Sequence, residues 1–181
     1  MAGHRITQEW MGAPVTTLAD LLRPGLRAVV VGINPSPPSV AAGHYYQGIL
    51  GRRFWARLRT AGVLGDAAPG LEDDALLAAG IGFTDVVKRP TARADGLGAA
   101  ELRHGAALLR ERLLEHRPGL VLFTYRRAAD ALLGARSGTG LLPRSGPGGA
   151  DCFVMPGPYA PAAAVAPALE ALRGLLGGAP A

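Results

Sequence analysis

The chemistry of this chain is concentrated at Gly32-Ile33-Asn34-Pro35-Ser36, a polar tip on the apolar run Ala28-Val29-Val30-Val31, which reads as a buried strand. Gly32 gives the backbone room to turn and Pro35 pushes Asn34 out of helical conformation. With two further prolines before Ser39, the segment reads as a stiffened loop. Downstream come Gly43-His44-Tyr45-Tyr46 and then Arg52-Arg53-Phe54-Trp55. One region therefore combines an amide, aromatic rings and basic side chains. That set suits a nucleobase turned out of a duplex: a ring to stack on it, a group to place a water, and arginines to hold phosphates.

Cleaving an N-glycosidic bond requires departure of the base as an anion, an oxocarbenium-like sugar, and a water to trap it. The Asn34 side-chain carbonyl can hold such a water but cannot take its proton at neutral pH. A site built on it works by positioning and by stabilising the leaving group. The competing use of Asn34 is an Asx turn. Asp95, a short loop beyond a second strand, is the candidate for a stronger base, against the commoner role of a solvated loop aspartate. His44 is a candidate contact to a phosphate or to the base O2, or else a surface histidine. Asp85, inside a strand, is expected to satisfy backbone donors or to pair with Arg89, and Phe54 and Trp55 to anchor the core.

These groups need a rigid frame. Strand-like runs occur at residues 28–31, 82–87, 120–124 and 152–155, separated by helical stretches at 17–22, 53–61, 72–79, 99–116, 126–133 and 162–176. Strands alternating with helices imply an α/β fold, a three-layer α/β/α arrangement around a central, mostly parallel four-stranded sheet. In such folds the ligand lies beyond the carboxyl ends of the strands. Asn34, the loop 88–95 and the loop 157–161 all follow strands and are expected to converge there. The Gly/Pro/Ser-rich segment 137–149 reads as a surface loop.

The 181 residues make one ordinary domain, 1–181, long enough to bury a core without staples. A hydrophobic content of 49% with 18% charged residues excludes a disordered chain, and the apolar runs are too short and too interrupted to span a bilayer. Without a continuous apolar signal core after the N-terminus, a cytoplasmic, nucleoid-associated location is expected. The net charge is +5 with a pI near 10.1. Between Asp20 and Asp66 there is no acid, whereas Arg23, Arg27, Arg52, Arg53, Arg57 and Arg59 all fall there, so a polyanionic partner fits. The bias of the whole composition toward Ala, Gly and Arg offers a purely compositional explanation of the same charge. Cys152 is the only cysteine, which rules out an intrachain disulfide and cysteine-ligated clusters.

Gly32-Ile33-Asn34-Pro35, with Phe54-Trp55 downstream, resembles the first motif of the mismatch-specific uracil/thymine DNA glycosylases of the uracil-DNA glycosylase superfamily. The resemblance continues in Gly82-Phe83-Thr84-Asp85-Val86-Val87-Lys88-Arg89-Pro90-Thr91, Glu101-Leu102-Arg103-His104-Gly105 and Phe153-Val154-Met155-Pro156, in the family's order, over roughly residues 27–175. It implies a monofunctional, monomeric enzyme without cofactor or metal. Such an enzyme removes uracil, with thymine or other deaminated bases as further candidates, from DNA carrying uracil or mismatches. It also implies that Asn34 orients the hydrolytic water, with Gly32 and Ile33 lining the substrate site. Tyr46 would then stack on the flipped base, an interaction worth roughly 1–3 kcal/mol. Arg52 and Arg53 become phosphate contacts. The iron–sulfur branch of the superfamily, which needs four cysteines, is excluded, and Lys88, the only lysine, is given no Schiff-base role.

The chain departs from that family at Met155-Pro156-Gly157-Pro158-Tyr159-Ala160-Pro161. Relatives carry small polar residues and a wedge in this place. Here neither Asn nor Ser is present, the wedge position falls at Pro161, and Tyr159 stands two residues earlier as the other candidate to enter a base step. Two rival readings stay open: a non-catalytic binder of deaminated DNA, and a hydrolase of free nucleosides or nucleotides.

Overall fold

A computed structural model describes residues 3–177. Four strands, β3 (Ala28–Gly32), β4 (Ile81–Asp85), β5 (Leu120–Phe123) and β7 (Asp151–Val154), form the parallel part of a five-stranded sheet in the order β4-β3-β5-β7, with β4 at one edge. The fifth strand, β6 (Gly140–Leu142), runs antiparallel on the β7 edge. It corrects the four-strand expectation, because its three half-exposed residues lie in the Gly/Pro/Ser-rich stretch that reads as a loop.

Strand alternation divides the apolar residues between two layers. Val30, Phe83, Leu122 and Phe153 face a core closed by Phe54, Trp55 and Leu58 of α2 (Gly48–Thr60), Leu76 of α3 (Glu72–Ala78) and Leu172 of α6 (Ala162–Leu176). Val29, Val31, Phe123, Cys152 and Val154 face the other, closed by Leu102, Leu109 and Leu113 of α4 (Ala99–His116) and Leu132 of α5 (Arg126–Leu133). The result is the expected α/β/α sandwich. Among the described residues no helix is long and apolar enough to cross a membrane.

Two local expectations are corrected. Residues 17–22 are not helical: Leu18 and Leu21 mimic a helical stripe, but β1 (Arg5–Trp10) and β2 (Ala13–Leu18) form an antiparallel hairpin. Its turn places Met11 and Gly12 at φ of 51° and 84°, the pair of positive values a tight two-residue turn needs. Leu21 then bridges Phe83 of β4 through backbone hydrogen bonds of 2.8 and 3.2 Å. After Asn34 the chain is not a loop throughout: Ser36 caps α1 (Pro37–Ala42), and the two prolines occupy its first positions, where their missing N–H groups cost nothing.

Candidate active site

The carboxyl ends of β3, β4, β5 and β7 open into a cavity of about 150 Å³, on the scale of one heterocyclic base. Its wall includes Gly32, Ile33, Asn34, Tyr46, Phe54, Thr91, Thr124, Met155 and Pro158. The surface is mostly apolar with a few fixed polar groups, as small-ligand sites are.

Asn34 sits just past β3 and its amide nitrogen faces three acceptors: the Arg89 carbonyl at 3.0 Å, Thr91 Oγ1 at 2.8 Å and the Pro35 carbonyl at 3.3 Å. A carbonyl can only accept, so the Arg89 oxygen decides which end of the amide is nitrogen. The Asn34 Oδ1 accepts no hydrogen bond from the described residues, so the Asx turn is not formed. The two loops are zipped together by Val86 N–H to Gly32 O (3.0 Å), Val87 N–H to Ile33 O (2.9 Å) and Thr91 N–H to Pro35 O (3.3 Å).

Tyr46 holds φ at 55°, in the left-handed region a bulky residue rarely adopts. Its ring packs 4.5 Å from the Phe54 ring and edge-on to Trp55 at 5.6 Å. α2 can approach this closely because residue 51 is glycine: a Cβ there would overlap the Tyr46 carbonyl. Burial first, and the Asp85 charge second, raise the Tyr46 phenol well above its ordinary pKa, so it stays a neutral hydroxyl. Tyr45 is buried in the core beside Tyr46, also borders the cavity, and donates from its hydroxyl to the Ala19 carbonyl at 2.9 Å.

Beneath the cavity wall lies a buried carboxyl. Asp85 stands opposite Gly32 in the β3–β4 register, and a Cβ on Gly32 would overlap its Oδ1 and come 3.0 Å from the Tyr46 hydroxyl. Burial pushes Asp85 up to about 7, with Lys88 opposing part of that rise. Arg89 does not pair with it, correcting that expectation; Arg89 is held by Glu101 at 2.7 Å. Lys88 is buried and its ammonium donates to Asp20 Oδ1 (2.5 Å), Thr84 Oγ1 (3.1 Å) and the Asp85 carbonyl (2.7 Å), which uses all three hydrogens away from the cavity.

Other expected site residues are distributed around this centre. Ile33 and Gly32 line the cavity, as does Arg53, whose guanidinium lies 4.9 Å over the ring of Tyr159. Tyr159 is 76% exposed at the tip of a turn closed by Ala160 N–H to Gly157 O at 3.0 Å. Pro161, exposed and extended, directly precedes α6. Arg52 is exposed next to Arg53 and outside the cavity wall. Asp95 and His44 are not brought to the cavity. Ala94 lines it, but the Asp95 side chain is 68% exposed and pairs with Arg93 at 3.2 Å, because the one-turn helix at Ala94–Gly96 directs it to solvent. His44 is buried behind the Tyr45–Tyr46 backbone, with Nδ1 3.0 Å from Asp73 Oδ1.

Four contributors escape the sequence reading. Thr91 fixes the Asn34 amide, and Thr124-Tyr125, directly after β5, supply part of the wall. The rule that ligands lie beyond strand ends points to this last pair. Arg57 donates to the carbonyls of Pro156 (2.7 Å) and Gly157 (3.0 Å) and so fastens the 155–161 loop to α2, a tertiary contact with no local signal. Thr124, Tyr125 and Met155 are shared with an adjoining groove bordered by Arg126, Arg127, Asp130 and Arg136.

A mostly parallel α/β/α sheet with a small, largely apolar cavity at its carboxyl edge is a frame that can take up a small ring. Residues 19–167 match the family model of the Uracil DNA glycosylase superfamily, and the chain belongs to that superfamily. It is thereby a DNA glycosylase of the hydrolase class, with DNA as partner.

Proposed function

We propose that the protein hydrolyses the N-glycosidic bond of uracil in DNA, as the first step of base excision repair, and leaves an abasic site. The observation that carries this reading is the amide orientation of Asn34. Three acceptors hold its nitrogen and leave Oδ1 for a donor from outside, which a hydrolytic water would provide. Tyr46 and Phe54, their rings 4.5 Å apart and tilted by 41°, supply an aromatic wall for an extruded base. Arg52 and Arg53 are assigned to phosphates, and Tyr159 with Pro161 to the gap left in the duplex. Lys88 forms no Schiff base in this scheme, so the product is an intact abasic sugar.

The 155–161 loop offers backbone groups, one phenol and rigid apolar surface to the opposite strand. Rejection of a wrong partner depends on leaving buried polar groups unpaired, so few polar side chains mean weak discrimination. Uracil is expected to leave G:U, A:U and single strands at similar rates, with G:T as a slower substrate of the mismatch type. Labelled strands carrying U in each context, incubated with protein and cleaved with alkali, test this. Alkali-labile product supports the proposal. Retarded DNA without such product favours a non-catalytic binder of deaminated DNA.

A further inference from the structure

We propose that His4, His44, Asp73 and Asp74 form a binding site for one divalent transition-metal ion, with Zn²⁺ as the type, outside the glycosylase cavity. The lone cysteine removes cysteine-ligated sites, and the family resemblance implies an enzyme without a metal. The fold gathers two histidines onto a pair of adjacent acids. One ligand atom from each of the four side chains lies within 4.8 Å of all the others. His4 Nε2 is 2.7 Å from Asp74 Oδ1, and His44 Nδ1 is 3.0 Å from Asp73 Oδ1 and 4.0 Å from Asp74 Oδ2.

Zn²⁺ bonds of about 2.0–2.2 Å in a tetrahedron place ligand atoms roughly 3.3–3.6 Å apart. The observed separations, from 2.7 Å up to 4.8 Å, straddle that range, so the side chains have to readjust around an ion. Two imidazoles with two carboxylates suit Zn²⁺ or Co²⁺, whereas Mg²⁺ and Ca²⁺ take all-oxygen sets. The rings stand edge to face, 5.2 Å apart at 80°, so their nitrogens converge without stacking.

The backbone holds these groups in place independently of any ion. His4 donates its N–H to the Gly43 carbonyl at 2.7 Å and accepts from Ala19 N–H at 2.8 Å, which lashes it beside His44. Asp73 is fully buried, and its Oδ2 accepts the Tyr45 N–H at 2.8 Å, the kind of outer hydrogen bond that orients a ligating carboxylate. An ion here would join the start of β1, the α1–α2 connection and the first turn of α3. It would also pin the 43–45 segment that delivers Tyr46 to the cavity.

The test uses the full-length chain, free of any polyhistidine tag and stripped with a chelator. Co²⁺ titration is expected to give a 1:1 end point with the visible absorption of a four-coordinate site. Zn²⁺ is expected to displace the Co²⁺ and to raise the thermal midpoint. His4→Ala and Asp74→Asn, each confirmed as folded by circular dichroism, are expected to weaken Co²⁺ binding tenfold or more, and a Zn²⁺-dependent rise in midpoint should disappear in both. If His4→Ala does not fold, Asp74→Asn carries the comparison alone. No saturable binding, or stoichiometric binding that survives both substitutions, would overturn the site. None of these readouts depends on uracil excision.

Discussion

Thr91 Oγ1 lies 2.8 Å from the amide nitrogen of Asn34, joining two strand-end loops that are 57 residues apart in the chain. The threonine hydroxyl passes its own hydrogen to the Arg93 carbonyl at 2.8 Å, so its lone pair is directed at the amide. Thr91→Val keeps the shape and removes both bonds, letting the Asn34 carbonyl wander. Single-turnover excision should fall about tenfold while DNA affinity, read by fluorescence anisotropy, stays within a factor of two. An equal loss in both would make Thr91 a binding residue instead of a positioning one.

Gly32→Ala places a methyl group on the Asp85 carboxyl and against the Tyr46 hydroxyl. Neither neighbour can retreat, since Asp85 is buried and Tyr46 is hemmed in by Phe54 and Trp55. Urea unfolding should show a loss of about 1–3 kcal/mol, the usual range for overpacking. Near-native stability would mean that the strand end is packed more loosely than these distances imply.

Asp85 imposes a pH dependence on stability. Its folded pKa, pushed up to about 7, lies above the ordinary carboxylate value of 3.8, so the folded state keeps a proton that the unfolded chain releases. That term is fully favourable below pH 4 and is lost as pH rises through 7. Asp85→Asn cannot titrate. The stability of the wild type relative to this variant should therefore decline as pH rises from 4 to 7. A flat difference across that window would show that Asp85 ionises normally.

The Arg53 guanidinium lies over the Tyr159 ring at the edge of the cavity, and the proposed function puts both side chains against DNA. Removing Arg52 and Arg53 together should make the log–log salt dependence of DNA binding shallower by roughly one for each phosphate that loses its arginine. Tyr159→Ala should slow excision from duplexes more than from single strands, because only a duplex has a gap to fill. A wild-type salt slope in the double variant would place the phosphate track along Arg126 and Arg136 instead.

The parallel strands and the helices α4, α5 and α6 are legible in the sequence because burial writes them as unbroken apolar runs and 3.6-residue stripes. The β1–β2 hairpin is not. Its outward residues alternate weakly, and Leu18, Leu21 and Leu22 have helical spacing although Leu18 ends a strand and Leu21 bridges β4. Asn34 can be found because the loop after a parallel strand has a known destination, and Tyr46 through its spacing from Asn34 and Phe54 in the family resemblance. The directions of Asp95 and His44 cannot, since each hangs on one local turn whose side-chain orientation no periodicity encodes. Thr91 and Arg57 are visible only once the loops they fasten are brought together.

Asn34→Ala tests the central claim most directly. On a labelled duplex carrying uracil, with enzyme in excess, the wild-type chain should convert the strand to alkali-labile product. Asn34→Ala should lower that rate by about 10²-fold or more, with folding and DNA affinity nearly unchanged. A variant that excises uracil at the wild-type rate, or that loses DNA binding with its chemistry intact, would contradict the assignment of the hydrolytic water to Asn34.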